Sequence, residues 1–149
     1  DEKYLPMDVK KKASAEDIFA SDLKAATGGD KEAIYRTAFA FHHGMGCDVD
    51  EKKAMEWYKK GSDLGHSRCT FDMGALLLMK DLEKNGKTAW ELLLKAANSG
   101  LADAQHEVGT LLSEGMGDIV KQDQTKAKEW LKKAADQGHQ RATEALEEL

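Results

Sequence analysis

The chain has 149 residues, 41% hydrophobic and 33% charged, with a formal net charge of −5. That length suits one domain or one short repeat array, and the acidic balance argues against nucleic acid and anionic membranes, whose binders carry basic stripes. No run of about 18 apolar residues is present to span a bilayer, and two cysteines are too few for a disulfide framework.

The first 13 residues read as an N-terminal extension holding Pro6, the sole proline, so no later helix need be broken. The chain starts at Asp1 without a methionine, compatible with removal of a preceding segment. Ser14 with Asp17 resembles a capping box and opens a helix through Ala26, which ends toward Gly29.

From there the sequence repeats itself, the feature to seek before any other. Trp57-Tyr58-Lys59-Lys60-Gly61-Ser62, Leu92-Leu93-Leu94-Lys95-Ala96-Ala97 and Trp130-Leu131-Lys132-Lys133-Ala134-Ala135 begin at 57, 92 and 130, spacings of 35 and 38. Each precedes a glycine: Gly65, Gly100 or Gly138. Four residues beyond Gly29, Gly65, Gly100 and Gly138 stand Ala33, Cys69, Ala104 and Ala142, a slot for a small residue. An apolar or Thr slot follows (Thr37, Met73, Val108, Leu146), then a close-approach slot (Ala38, Gly74, Gly109), then Phe41, Leu77 and Leu112.

These spacings place the slots on one face of a helix. Each copy is therefore two helices, with Asp50 and Asp123 as N-caps of the second and the glycines ending it in a left-handed conformation. Cys69 in a small buried slot favours two free thiols over a bridge between Cys47 and Cys69. One helix pair cannot bury its apolar face, so the copies must stack. Eight helices are predicted, in an all-α superhelix. A half repeat spans 14–29, repeats span about 30–65, 66–100 and 101–138, and a polar capping helix spans 139–149. The second copy departs from the rest: Lys80 replaces a loop glycine and Asp81 to Gly86 reads as a shortened connection.

The signature Gly44-Met45-Gly46, Asp50-Glu51-Lys52-Lys53-Ala54, Trp57-Tyr58 and Gly65-His66 returns as Gly115-Met116-Gly117, Asp123 to Ala127, Trp130-Leu131 and Gly138-His139. It resembles the Sel-1-like repeat family, relatives of the tetratricopeptide repeats. The resemblance implies a protein-binding adaptor rather than an enzyme. A second reading is an inhibitor or immunity protein that blocks a toxin or enzyme, and a third a hydrolase of the β-lactam-binding type. The third is not carried over, because that branch pairs cysteines in every repeat. Family members of this kind point to a bacterial, exported or periplasmic setting ahead of a cytoplasmic one.

No motif for catalysis or phosphate binding is present, and no cofactor is expected. His42, His43, Met45 and Cys47 offer metal-ligand types, but they read as the end of a helix and its loop, so no metal is expected. Trp57 and Trp130 are assigned to the core. In tetratricopeptide-like solenoids the first helices line the concave face, which assigns partner contact to Tyr35, Phe39, His42 and His43 in the first copy. In the second copy it assigns Phe71, Ala75, Leu78 and Met79, and in the third His106, Thr110, Ser113 and Glu114. Trp90 and Leu94 form a separate candidate patch, since lysines occupy the Leu94 position in both other copies.

Overall fold

The computed structural model describes residues 13–149. The N-terminal extension assigned to 1–13 therefore lies outside the described residues except for Ala13. Eight helices follow: α1 (Ala15–Thr27), α2 (Lys31–His43), α3 (Glu51–Asp63), α4 (Ser67–Lys80), α5 (Leu82–Asn98), α6 (Ala102–Glu114), α7 (Gln124–Asp136) and α8 (Gln140–Glu148). Each packs on its sequence neighbours, and contact between non-adjacent helices is slight, as a one-dimensional stack requires. The even-numbered helices are the first helices of each copy and the odd-numbered ones the second.

Helix starts are fixed by side-chain acceptors. Ser14 and Asp17 form a reciprocal capping box, and Asp30, Asp50, Asp81 and Asp123 each accept the amide three residues on. His66 and His139 do the same through Nδ1, accepting from Cys69 and Ala142 at 3.2 Å. The second helices end at Gly29, Gly65, Gly100 and Gly138, with φ between 84° and 99°. An added Cβ would meet nothing within 4 Å at any of them, so glycine is required there by backbone conformation alone.

The small slots are where the helices touch. Ala33, Cys69, Ala104 and Ala142 are all fully buried. A Cβ at Gly74 would come within 3.2 Å of Leu92, and one at Gly109 within 2.7 Å of Leu131. Three apolar clusters result, centred on Tyr58, on Leu93 with Val108, and on Leu131 with Ala134.

Two sequence expectations need correction. Trp57 and Trp130 are half-buried at the margins of the first two clusters, with Lys60 and Lys133 lying 4.3 and 4.4 Å over their rings. The next residue in each copy (Tyr58, Leu93, Leu131) points into the core. Recurrence in the first and third copies thus marks a lysine-on-tryptophan stack at the margin of the core rather than full burial. The segment Asp81 to Gly86 is also not a connection: Asp81 alone links α4 to α5, capping α5 from its first turn. Gly86 is helical, and a Cβ there would lie 2.5 Å from Ile119. Both cysteines are free, Cys69 buried and Cys47 half-buried.

Gly109→Ala should destabilise by about 1–3 kcal/mol through overpacking, and Gly138→Ala by about 1–2 kcal/mol through backbone strain. Denaturant titration distinguishes the two, because Gly138→Asn should recover part of the loss while Gly109→Asn should worsen it. Gly61→Ala would bring its Cβ to 2.3 Å from the Cys69 sulfur. Cys69→Ala should relieve part of that cost, giving a non-additive double-mutant cycle.

Candidate interaction surface

The first helices carry a continuous seam of charged and aromatic groups. The position before each small slot alternates in sign along the array: Glu32, Arg68, Asp103, Arg141. Arg68 donates from Nη1 to Asp103, whose other carboxylate oxygen pairs with His139 Nε2 at 2.8 Å. His66 Nε2 lies 2.9 Å from Glu32. Each histidine therefore caps its own helix with one nitrogen and reaches back to the preceding repeat with the other. Burial alone would raise the Asp103 pKa, but the hydrogen bonds from Arg68 and His139 outweigh it and hold the carboxyl below its usual value.

Two residues after the small slot, the ring stacks on the next histidine cap. Tyr35 lies 5.4 Å from His66, with ring planes 17° apart. His106 lies 4.7 Å from His139 at 23°. The N-cap position of α6 is Leu101, which makes no side-chain cap, so Phe71 has no histidine to stack on. Its ring instead lies 5.2 Å from the Arg68 guanidinium.

At the centre of the seam Asp72 sits 3.5 Å from Arg68 Nε. Burial pushes its pKa up, while Arg68 pulls the other way. The Tyr58 hydroxyl arrives from α3 beside it, buried and without a hydrogen bond of good geometry. One copy further on, Glu107 is likewise raised by burial.

The assigned contact residues fall on this framework unevenly. Tyr35, Phe39, His42, Phe71, Leu78 and His106 are all half-buried rather than free in solvent. Tyr35 and His106 brace the next repeat through the stacks just described. Phe39 lies 4.1 Å from the His43 ring, which is 4.3 Å from His42. His42 itself is half-buried rather than exposed, and its pKa is lowered by burial and then by His43. Met79 stands out at 83% exposure.

Phe71 and Leu78 pack at the edge of the second cluster, as do Trp90 and Leu94. The last two are thus half-buried, not projecting from an open face. Trp90 borders a hollow of about 350 Å³ beside Leu112, Ile119 and Val120, where the longer loop of the third copy folds through a Met116–Val120 bridge. The Cys47 thiol turns to the Ala40 carbonyl at 3.5 Å, and no group of three or more His, Cys, Asp or Glu among the described residues is placed to hold a metal ion. No described helix is long and apolar enough to cross a membrane.

Sequence reasoning missed the seam. Its signal was the sign alternation of Glu32, Arg68, Asp103 and Arg141, visible only once the repeats are superposed.

Comparison with known proteins supports the repeat architecture independently. The Sel1 repeat model matches residues 31–66, 67–101 and 102–139. The chain is 30% identical over 140 residues to chitin synthase regulatory factor 3 of Schizosaccharomyces pombe, covering 91% of this chain and 15% of that protein. It is 25% identical over 130 residues to chitin synthase regulator SKT5 of Malassezia restricta, covering 85% and 9% respectively. It thus spans a small part of the curated relatives it matches. Among solved structures, the c5321 protective antigen of uropathogenic Escherichia coli, which displays an SLR fold, superposes with a TM-score of 0.79 at 31% identity. That match covers 87% of this chain and 28% of the other. A Sel1 repeat protein from Oxalobacter formigenes superposes at 0.78 and 24% identity, over 89% and 54%. Three consecutive matched copies, on eight helices stacked in the register of their small slots, make this chain a member of the Sel1 repeat family.

Proposed function

We propose that the chain is a non-catalytic scaffold that seats a segment of a partner protein along its first-helix face. Repeats of this family mediate protein–protein interaction, and two of the relatives are named as regulators of an enzyme rather than as enzymes. The observation that carries the reading is the chemistry of α2 and α4. Phe39, His42, Phe71, Leu78 and Met79 leave apolar and aromatic surface accessible on helices whose opposite side is buried through Ala33, Ile34, Ala38 and Phe41 in α2 and Cys69, Gly74 and Leu76 in α4. Aromatic and Met side chains of this kind suit the core of an interface. The third copy offers Thr110, Ser113 and Glu114 at matching positions, so the face grades from apolar to polar along its length. A partner segment with the same gradient fits it.

Within this reading Tyr35 and His106 contribute the exposed edges of rings whose main work is spacing the repeats. Trp90 and Leu94 form a second contact patch beside the third-copy loop. An inhibitor would use the same surfaces, and differs in that its captured partner is an enzyme that loses activity on binding.

Phe39→Ala and Phe71→Ala should each weaken partner binding by about 2 kcal/mol or more while helicity is retained. Affinity capture from the source organism, followed by titration of the captured partner against each variant, measures this. If both variants fold and bind as the parent does, the partner does not use this face.

A further inference from the structure

The first helices of the second and third copies carry more negative charge than they neutralise. Arg68 of α4 and Asp103 of α6 hold the same slot one copy apart, and they meet across the joint. One turn further along each helix, the shared slot holds Asp72 and Glu107, three residues beyond Cys69 and Ala104. A turn that pairs opposite charges is therefore followed by one that sets two like charges in register. Arg68 already divides itself between Asp103 and Asp72. α6 contains no Lys or Arg, and Lys80 lies at the far end of α4, paired with Glu51. The first copy supplies no further cation. Arg36 holds the same slot there, but its guanidinium is engaged with Asp22 of α1 at 2.9 Å.

Both carboxylates are half-buried. Desolvation raises both pKa values; Arg68 opposes it at Asp72 and Arg141 at Glu107, while Asp103 and Glu114 add to it. The other base acting on Asp72 is His43, exposed at the end of α2. From α3 the Tyr58 hydroxyl reaches toward Asp72, wholly buried and completing no hydrogen bond of good geometry among the described residues. A phenol is neutral, so the polar group that α3 aims at this carboxylate leaves its charge uncompensated. Such charges are costly to hold out of water, and groups kept in that state mark functional sites. α4 and α6 scarcely pack on each other, so side chains alone span the space between them.

We propose that a lysine or arginine of the partner segment enters between Asp72 and Glu107. This rests on the first-helix reading above and gives the segment its chemistry: apolar or aromatic residues over Phe39 and Phe71, flanked on one side by a base over Glu107. The layout follows the helices, since α2 is apolar where α6 carries Glu107 and, at its exposed end, Glu114. An acidic segment would be driven against carboxylates that already lack cations. A wholly apolar one would strip their remaining water and leave them unpaired, which is costlier still. A cation at this turn restores the opposite-charge pairing that Arg68 and Asp103 show at the turn before.

The test pans a phage-displayed library of random dodecapeptides against the full chain. Enriched peptides should pair an aromatic or aliphatic residue with Lys or Arg at a fixed spacing. A labelled enriched peptide, titrated by fluorescence anisotropy, should bind Glu107→Lys about tenfold or more weakly, and Glu107→Gln less weakly. Changing its base to Glu should restore binding to Glu107→Lys. Glu129→Lys makes the same change of net charge at an exposed position of α7. It should leave binding unchanged, which sets general attraction of a basic peptide aside. The free Glu107→Gln chain should melt no lower than the parent, because the fold does not need the charge it removes. Loss of binding in Phe39→Ala with indifference to Glu107→Lys keeps the groove and overturns this proposal. Binding that depends on Glu107 but ignores both Phe39→Ala and Phe71→Ala supports the charge contact and overturns the apolar groove. No enrichment, enrichment without a base, equal weakening by Glu129→Lys, or a marked fall in melting of Glu107→Gln also overturns the proposal. Stabilisation of the free chain by calcium alone, absent in Glu107→Gln, overturns it too and assigns the carboxylates to a metal ion.

Discussion

The closeness of the helices at their small residues is the constraint on which the rest of the molecule depends. Gly74 and Gly109 let α5 and α7 approach until a single added carbon would press on a leucine, tightly at Gly74 and with overlap at Gly109. Nothing bulky can be tolerated there, and little room is left for adjustment, because protein interiors pack like crystals. The joint between α3 and α4 is close through an exchange of volume: a Cβ on Gly61 would fall 2.3 Å from the Cys69 sulfur. Cys69 stands where the later copies hold Ala104 and Ala142, and Gly61 stands opposite where they hold Ala96 and Ala134. A sulfur gained on one helix is offset by a methyl lost on the other.

Once the separation is set, the polar groups at the helix ends come into register. A histidine at the start of a first helix can satisfy a free backbone amide with one ring nitrogen and touch the previous repeat with the other, as His66 and His139 do. An unpaired amide at such a position would cost free energy, so one side chain does two tasks. The aromatic stacks on these rings extend the coupling across the face that the proposed partner would meet. Binding chemistry and inter-repeat packing therefore use overlapping side chains, and a substitution at Tyr35 or His106 disturbs both.

The fold was legible because its strongest signal, the spacing of Ala33, Cys69, Ala104 and Ala142 from the terminal glycines, reports directly on the interfaces. Helix caps were legible for the same reason: Ser14, Asp50 and Asp123 act on backbone a few residues away. What the sequence hid was long-range. Trp57 and Trp130 recur as a core residue would, yet recurrence reports any repeated environment, including a lysine-covered surface. The α4–α5 junction was misread because Gly86 looked like a loop glycine. It is instead a helical residue that makes room for Ile119, some 33 positions later. The Arg68–Asp103–His139 cluster joins three helices, and no local pattern marks it.

The volume exchange at Gly61 and Cys69 has a chemical corollary. The Cys69 thiol is buried against α3, and burial, reinforced by Asp72, pushes its pKa up to about 12. Thiolate is the reactive species toward alkylating agents and oxidants, so in the closed stack this sulfur is inert. It becomes available only when α3 and α4 part. Labelling of Cys69 thus clocks the opening of the joint between the first and second repeats, at the same position that lets the joint close. Cys47, half-buried in the loop after α2, provides the faster internal reference. The molecule carries its own reporter of how often a solenoid breaks between two of its units.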